Sequence, residues 1–310
     1  MTESAVALMF PGQGSQAVGM LADWALKFPV IEQTFQQASS VLGYDLWKRT
    51  QQGPATLLNQ TACAQPALLA ASVALWRVWQ QQEQPNPKLT AGHSLGEYSA
   101  LVCAGVLDFE AAVWLVAQRG RLMQEAIAAG EGTMVAVLGL SEEQVGKACI
   151  RAAQGAIVSA ANFNAPGQIV IAGNRVAIER AVEYCRLLGA KRLVPLAVSV
   201  PAHCALMKPA AEAFEVLLDQ RTFQPPKWPV IHNVDVKPHQ KPSAIKTALV
   251  SQLYSPVRWQ ETLCYFRDQG LRQLIELGPG NVLTGLAKRT IPTLPVVSLQ
   301  PSELNKVNFQ

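Results

Sequence analysis

Three features of the sequence predict an α/β fold with a parallel sheet and a small βαββαβ unit inserted near its middle. Apolar strand-like runs end in glycine-rich loops and pass into helical patterns, the alternation of a parallel sheet. One such junction, Gly92-His93-Ser94-Leu95-Gly96, has the small-residue spacing of a sharp strand-to-helix turn. Between residues 131 and 197 the order changes to strand, helix, strand, strand, helix, strand, which is the ferredoxin-like pattern.

The elements follow in order. Ala5–Phe10 reads as a buried strand ending in the turn-rich loop Pro11-Gly12-Gln13-Gly14-Ser15-Gln16. Helical patterns cover Val30–Leu42 and Ala67–Gln82, and a short strand, Leu89–Ala91, enters the Gly92–Gly96 turn. Small and apolar residues from Tyr98 to Ala104 suit a tightly packed helix, and another helix covers Phe109–Ala128. In the insert, strands are expected at Thr133–Leu138, Ala156–Ala161, Gln168–Ala172 and Lys191–Leu196, with helices at Glu142–Ala153 and Val176–Leu188. The α/β pattern then resumes: helices near Leu206–Leu218, Ser243–Leu253 and Glu261–Gln269, strand Gln273–Leu277, helix Val282–Arg289, strand Pro295–Leu299. Residues 1–130 and 198–310 are thus expected to form one unit and 131–197 a second.

The 310 residues are 49% hydrophobic and only 15% charged, a balance that favours a buried core over disorder. The net charge of +4 is dispersed, which argues against a nucleic-acid surface. No apolar run is long enough for a transmembrane helix, and the N-terminus lacks a basic signal-like region. The six cysteines make no CxxC pair and no metal-ligand spacing. Their dispersal fits reduced thiols and a cytoplasmic setting.

Gly92-His93-Ser94-Leu95-Gly96 fits G-x-S-x-G. In a nucleophile elbow the flanking residues must be small so that strand and helix can approach, and the turn exposes the serine hydroxyl. The Leu95 N–H would then face a developing oxyanion at a helix N-terminus. The alternative is an ordinary serine in a tight turn. A serine nucleophile needs a base, and His203 and His232 both remain open. His93 abuts Ser94, so its side chain is expected to point elsewhere, and His239 lies in a polar loop expected to face solvent. Arg119 falls on the stripe Ala112, Val116, Arg119, Met123, Ile127 and interrupts an apolar helix face. A buried cation needs a partner: a local Asp or Glu, or a bidentate substrate carboxylate, with Gly120 leaving room for close approach. The Gly12–Gln16 loop lacks the frame and lysine of a phosphate loop. It reads as a second backbone donor near the elbow, or as a bare surface turn.

These motifs, with Ala64-Gln65-Pro66-Ala67, Gln118-Arg119-Gly120, Asn162-Phe163-Asn164-Ala165-Pro166-Gly167-Gln168, Pro201-Ala202-His203-Cys204 and Leu277-Gly278-Pro279-Gly280, run almost end to end. On them the chain resembles the malonyl-CoA:acyl-carrier-protein transacylases of bacterial fatty-acid synthesis and, more distantly, the acyltransferase domains of polyketide synthases. The resemblance implies an α/β-hydrolase-like core with a ferredoxin-like insert. It implies Ser94 as nucleophile, His203 as base, Gln13 and Leu95 as oxyanion donors, and Arg119 as holder of the malonyl carboxylate. It further implies that the Gln252 backbone carbonyl orients the histidine, that Asn233 neighbours the active site, and that His93 belongs with the substrate-binding residues. Two positions depart from relatives: Ala202 beside His203, where acyl selection is set, and His232, where Asn is common.

The implied reaction is malonyl transfer from malonyl-CoA to acyl carrier protein, with no metal, no bound cofactor, and no nucleic-acid or membrane partner, by a monomer. The basic pairs Lys288-Arg289 and Lys191-Arg192 are expected to flank the cleft and meet an acidic carrier. Alternatives are an esterase or thioesterase on the same elbow, a discrete acyltransferase of a polyketide assembly line, and a catalytically idle carrier-binding module.

Overall fold

The structure, a computed structural model, describes residues 5–197 and 200–301. Met1 to Ser4, Ser199 and the expected unit boundary at residue 198 lie outside the described residues. The chain begins with β1 (Val6–Phe10), α1 (Ala22–Ala25), α2 (Val30–Leu42), α3 (Leu46–Gln52), α4 (Ala55–Leu58) and the long α5 (Thr61–Gln81). Next come β2 (Leu89–Gly92), α6 (Gly96–Cys103) and α7 (Phe109–Glu125). The middle holds β3 (Gly132–Leu138), α8 (Glu142–Ala153), β4 (Val158–Ala165), β5 (Gln168–Asn174), α9 (Arg175–Leu187) and β6 (Arg192–Pro195). The chain returns through α10 (Lys208–Asp219), β7 (Val230–Ile231), α11 (Pro242–Tyr254), α12 (Trp259–Asp268), β8 (Gln273–Glu276), α13 (Val282–Thr290) and β9 (Val296–Ser298).

The larger sheet has the order β7-β2-β1-β8-β9, and every pairing in it is parallel. Alternate residues of β1 serve two cores. Val6, Leu8 and Phe10 pack into the cluster that includes α2, α5 and α7, whereas Ala7 and Met9 pack with Trp259, Leu263 and Phe266 of α12. Both faces are covered, so the strand reads as a continuous apolar run instead of an alternation. The smaller sheet is antiparallel with the order β4-β5-β3-β6, which is the ferredoxin-like arrangement. Helices α8 and α9 cover one face through Val145, Cys149, Ile178 and Cys185. The opposite face, with Met134, Ala161 and Val170, packs on Cys204. Backbone hydrogen bonds from Phe163 N to Val257 O (2.9 Å) and from Val257 N to Ala161 O (2.9 Å) tie β4 to the larger unit.

Some boundaries differ from expectation. Helix α5 starts at Thr61 and carries Pro66 inside it. An internal proline reads as a helix start because it lacks a donor, but here surrounding burial overrides that preference. Helix α7 ends at Glu125, before Ile127. The two-residue strand β7 and the short helices α1, α3 and α4 have too little periodicity to be read from sequence.

Candidate active site

Ser94 sits between β2 and α6 with φ of 51°, a left-handed conformation that is strained for a non-glycine residue and is often found at functional sites. Glycines on both sides are a steric requirement. A Cβ on Gly92 would lie 1.8 Å from the Gly96 carbonyl carbon, and one on Gly96 would lie 2.0 Å from the Phe10 oxygen. Asn233 closes the turn from the far side. Its Oδ1 accepts from the Ser94 N–H (2.7 Å) and its Nδ2 donates to the Gly92 oxygen (2.8 Å). The Ser94 N–H is therefore occupied, and the next residue, Leu95, is the N-cap of α6.

Ser94 Oγ lies 2.8 Å from His203 Nε2, and His203 Nδ1 lies 2.7 Å from the Gln252 backbone oxygen. A carbonyl only accepts, so the proton sits on Nδ1 and the Nε2 lone pair faces the serine hydroxyl. The backbone carbonyl thus stands where a carboxylate stands in Ser-His-Asp triads. His203 is 3% exposed. Burial, and next the Arg119 charge, push its pKa down from 6.5 to about 3, against the pull of the Gln252 hydrogen bond.

Arg119 is fully buried on the α7 stripe with Ala112, Val116 and Met123. Its Nη1 donates to Gln65 Oε1 (2.9 Å), and its Nη2 donates to Gln252 Oε1 (2.9 Å) and to Ser94 Oγ (3.3 Å). Among the described residues its Nε finds no acceptor, and the guanidinium lies 5.6 Å from the Tyr98 ring centroid. Burial lowers its pKa, opposed by Tyr98 and Glu97. Among the described residues no Asp or Glu forms an ion pair with it. The local acidic partner is absent there, and the cation stands beside Ser94 with neutral hydrogen-bond acceptors only.

A cleft opens over these groups between the two sheets. Gln13, His93, Ser94 and His203 line it from the larger unit, and Met134 and Asn162 from the smaller. Asn162 sits at a register shift of β4, where an extra residue re-aims the side chains. His93 does not simply point away. It lines the cleft, is held by Asn164 Oδ1 (2.8 Å from Nε2), and packs edge-on to Trp259; burial lowers its pKa.

Three sequence readings are corrected. His232 does not face Ser94: it is buried, and its Nδ1 lies 2.7 Å from Glu97 Oε1. His239 is half-buried, stacked 4.9 Å from His232 and bonded to Asp235. Gly120 makes room not for substrate but for α5, since a Cβ there would lie 2.8 Å from Ala62 Cα. Sequence reasoning also missed Gln65 and Glu97, although an acid in the first turn of a helix rich in small and apolar residues is the same kind of signal that marked Arg119. Of the basic residues, Lys191, Arg192, Lys288 and Arg289 are all exposed, and Arg289 donates to Gln168 Oε1 (2.5 Å), joining α13 to β5. Among the described residues no cluster of His, Cys, Asp or Glu could hold a metal ion, and no helix is long and apolar enough to cross a membrane.

Known proteins with this arrangement are close in sequence. The chain is 58% identical over 299 residues to the malonyl CoA-acyl carrier protein transacylase of Escherichia coli K12, covering 96% of this chain and 97% of that one. It is 41% identical to the Bacillus subtilis transacylase, covering 99% and 97%. A crystal structure of an acyl carrier protein S-malonyltransferase from Vibrio cholerae superposes with a TM-score of 0.96 at 57% identity, covering 98% of this chain and all of that one. A malonyl-transacylase solved in complex with a type II PKS acyl-carrier protein gives 0.96 at 58%, covering 97% and 98%. The profile described as "Acyl transferase domain" matches residues 8–302. Matches of this extent and identity decide the assignment: the chain belongs to the acyl transferase domain family.

Proposed function

We propose that this protein transfers a malonyl group from malonyl-CoA to the phosphopantetheine thiol of an acyl carrier protein, through an ester on Ser94, in fatty-acid synthesis. The observation that carries the reading is Arg119: a fully buried cation, 3.3 Å from the Ser94 oxygen, with only neutral hydrogen-bond partners among the described residues. A substrate carboxylate satisfies it, and a neutral ester does not.

In the first half-reaction Ser94 Oγ attacks the thioester carbonyl as its proton passes to His203 Nε2. The tetrahedral oxyanion is held by the Leu95 and Gln13 backbone N–H groups. Collapse breaks the C–S bond, and the departing CoA sulfur takes the proton from His203. In the second, the carrier thiol gives its proton to His203 and its sulfur attacks the malonyl ester. The C–Oγ bond then breaks and Ser94 recovers its proton. Asn233 keeps the elbow in shape, the Gln252 carbonyl keeps His203 in its tautomer, and His93 with Asn164 forms the acyl-side wall. Residues 1–130 with 198–310 act as the catalytic unit, and 131–197 supply the opposite wall of the cleft.

The test is intact-mass measurement after mixing with malonyl-CoA or acetyl-CoA, followed by holo acyl carrier protein. A malonyl adduct is expected that forms on wild type, is absent in Ser94→Ala, and is discharged by the carrier thiol. Discharge to water at the same rate without carrier protein would make the protein a thioesterase and refute the transfer reading.

A further inference from the structure

We propose that Glu97 is the counter-ion of Arg119, held one amide away by the Gln252 side chain, and that this spacing sets how strongly Arg119 selects a carboxylated acyl group. Glu97 is fully buried on the first turn of α6. Its Oε2 accepts from Gln252 Nε2 (2.8 Å) and from the Asn233 N–H (3.0 Å), and its Oε1 lies 2.7 Å from His232 Nδ1. On the other end of the same amide, Gln252 Oε1 accepts from Arg119 Nη2 (2.9 Å). The orientation of that amide is dictated by chemistry: Glu97 Oε2 and the Ser94 backbone oxygen (3.1 Å) accept from its Nε2, and a guanidinium only donates to its Oε1. Cation and anion thus face each other through an aligned amide dipole.

The arrangement has a purpose that a direct pair would defeat. A buried cation without any countercharge is costly, but one locked against a carboxylate has no charge left to offer substrate. Here the Asn233 N–H and His232 pin Glu97 in place, so it cannot close on Arg119. The second ring nitrogen of His232, Nε2, has no hydrogen-bond partner among the described residues, so the hydrogen bonding of this ring is spent on Glu97 alone. Glu97 keeps Arg119 tolerable in the empty pocket while opposing, at a distance, the carboxylate that Arg119 attracts.

The inference rests on Arg119 as the carboxylate clamp, so Arg119→Ala is measured alongside. The assay is kcat/KM for Ser94 acylation with malonyl-CoA and acetyl-CoA. Glu97→Gln is isosteric and retains an acceptor for Asn233 and Gln252. It should raise the malonyl-to-acetyl ratio roughly tenfold, the effect of removing a unit charge on the order of 10 Å away at an effective dielectric of about 20. Gln252→Glu places a carboxylate against Arg119 and should lower the ratio by about tenfold or more. The double exchange, Glu97→Gln with Gln252→Glu, has the wild-type composition and should keep the low ratio. A purely structural pair predicts the opposite, rescue by the exchange. An unchanged or lowered ratio in Glu97→Gln, or a wild-type ratio in the exchange, overturns the proposal. So does loss of folding in both, which would make the carboxylate a requirement of the fold. If Arg119→Ala itself keeps the wild-type ratio, it is the clamp reading that fails; if it collapses the ratio while Glu97→Gln leaves it unchanged, only the counter-ion role fails.

Discussion

Removing the Arg119 guanidinium should reverse the acyl preference of the enzyme. Malonyl and acetyl thioesters differ by one carboxylate, and Arg119 is the cation that stands within hydrogen-bond reach of Ser94 Oγ, at 3.3 Å. Among the described residues its Nε has no hydrogen-bond partner, and its Nη2 is shared between Gln252 and Ser94, so its donors are held by neutral acceptors that a carboxylate would outcompete. A hydrogen bond to a charged group contributes about 1.5–3 kcal/mol net, which is about 10- to 150-fold in kcat/KM. In Arg119→Ala, malonyl acylation should fall by at least that factor. Acetyl acylation should hold or rise, because the buried cation that opposes an uncharged acyl group is gone. Arg119→Lys should recover only part of the malonyl rate, since an ammonium cannot span the same fork. The substitution leaves the Gln65 and Gln252 side-chain oxygens without their donor, a cost of about 1–3 kcal/mol for each one that stays dry. Thermal melts of each variant therefore accompany the rates. The assay is time-resolved intact mass of the Ser94 adduct with each thioester. Equal loss for both thioesters, in a variant that melts as a folded protein, would make Arg119 structural and refute the clamp.

The remaining predictions concern the base, the elbow and the partner. His203→Ala should slow acylation by ~10²–10⁴. Because burial and Arg119 hold the His203 pKa down at about 3, the wild-type acylation rate should show no histidine-like inflection near pH 6.5. In Arg119→Ala an inflection should move up into the measurable range; an inflection near 6.5 in wild type would contradict this. The same depressed pKa means that the unfolded state binds the proton first, so stability should decline as pH falls below 6.5, as urea titrations at several pH values would reveal. Gly96→Ala should be destabilised by ~3 kcal/mol or more, since its Cβ would meet backbone at 2.0 Å; a melt within a degree or two of wild type would contradict the packing. Lys288→Glu with Arg289→Glu should raise the apparent KM for carrier protein while leaving malonyl-CoA loading intact, and an equal effect on both half-reactions would rule out docking there.

Much of this architecture is local and therefore readable. The strand-like run before Pro11, the elbow glycines and the βαββαβ order are set by periodicity and by steric limits on a few residues, and the structure has them where expected. The Arg119 stripe was legible for the same reason: helical spacing places a cation among apolar neighbours whatever the rest of the chain does. Helix α5 was misjudged at its start because Pro66 speaks locally for a boundary that tertiary burial overrides.

The partners of the site residues were a different matter. Whether His203 or His232 faces Ser94 depends on where loops far apart in sequence return to the cleft, and spacing along the chain carries no such information. The fold brings Gln252 to both His203 and Arg119, through its backbone oxygen and its side chain respectively, and it sets Glu97 behind them. The sequence by itself determined the fold class, the elbow and the presence of a buried cation, because each follows from residues within a few positions of one another. Only the tertiary structure decided which histidine faces Ser94, that Arg119 has no acid beside it among the described residues, and that a buried carboxylate, Glu97, stands one amide away. Those are distances across the core, between residues separated by 109, 133 and 155 positions, and they exist only once the two faces of the sheet have been packed.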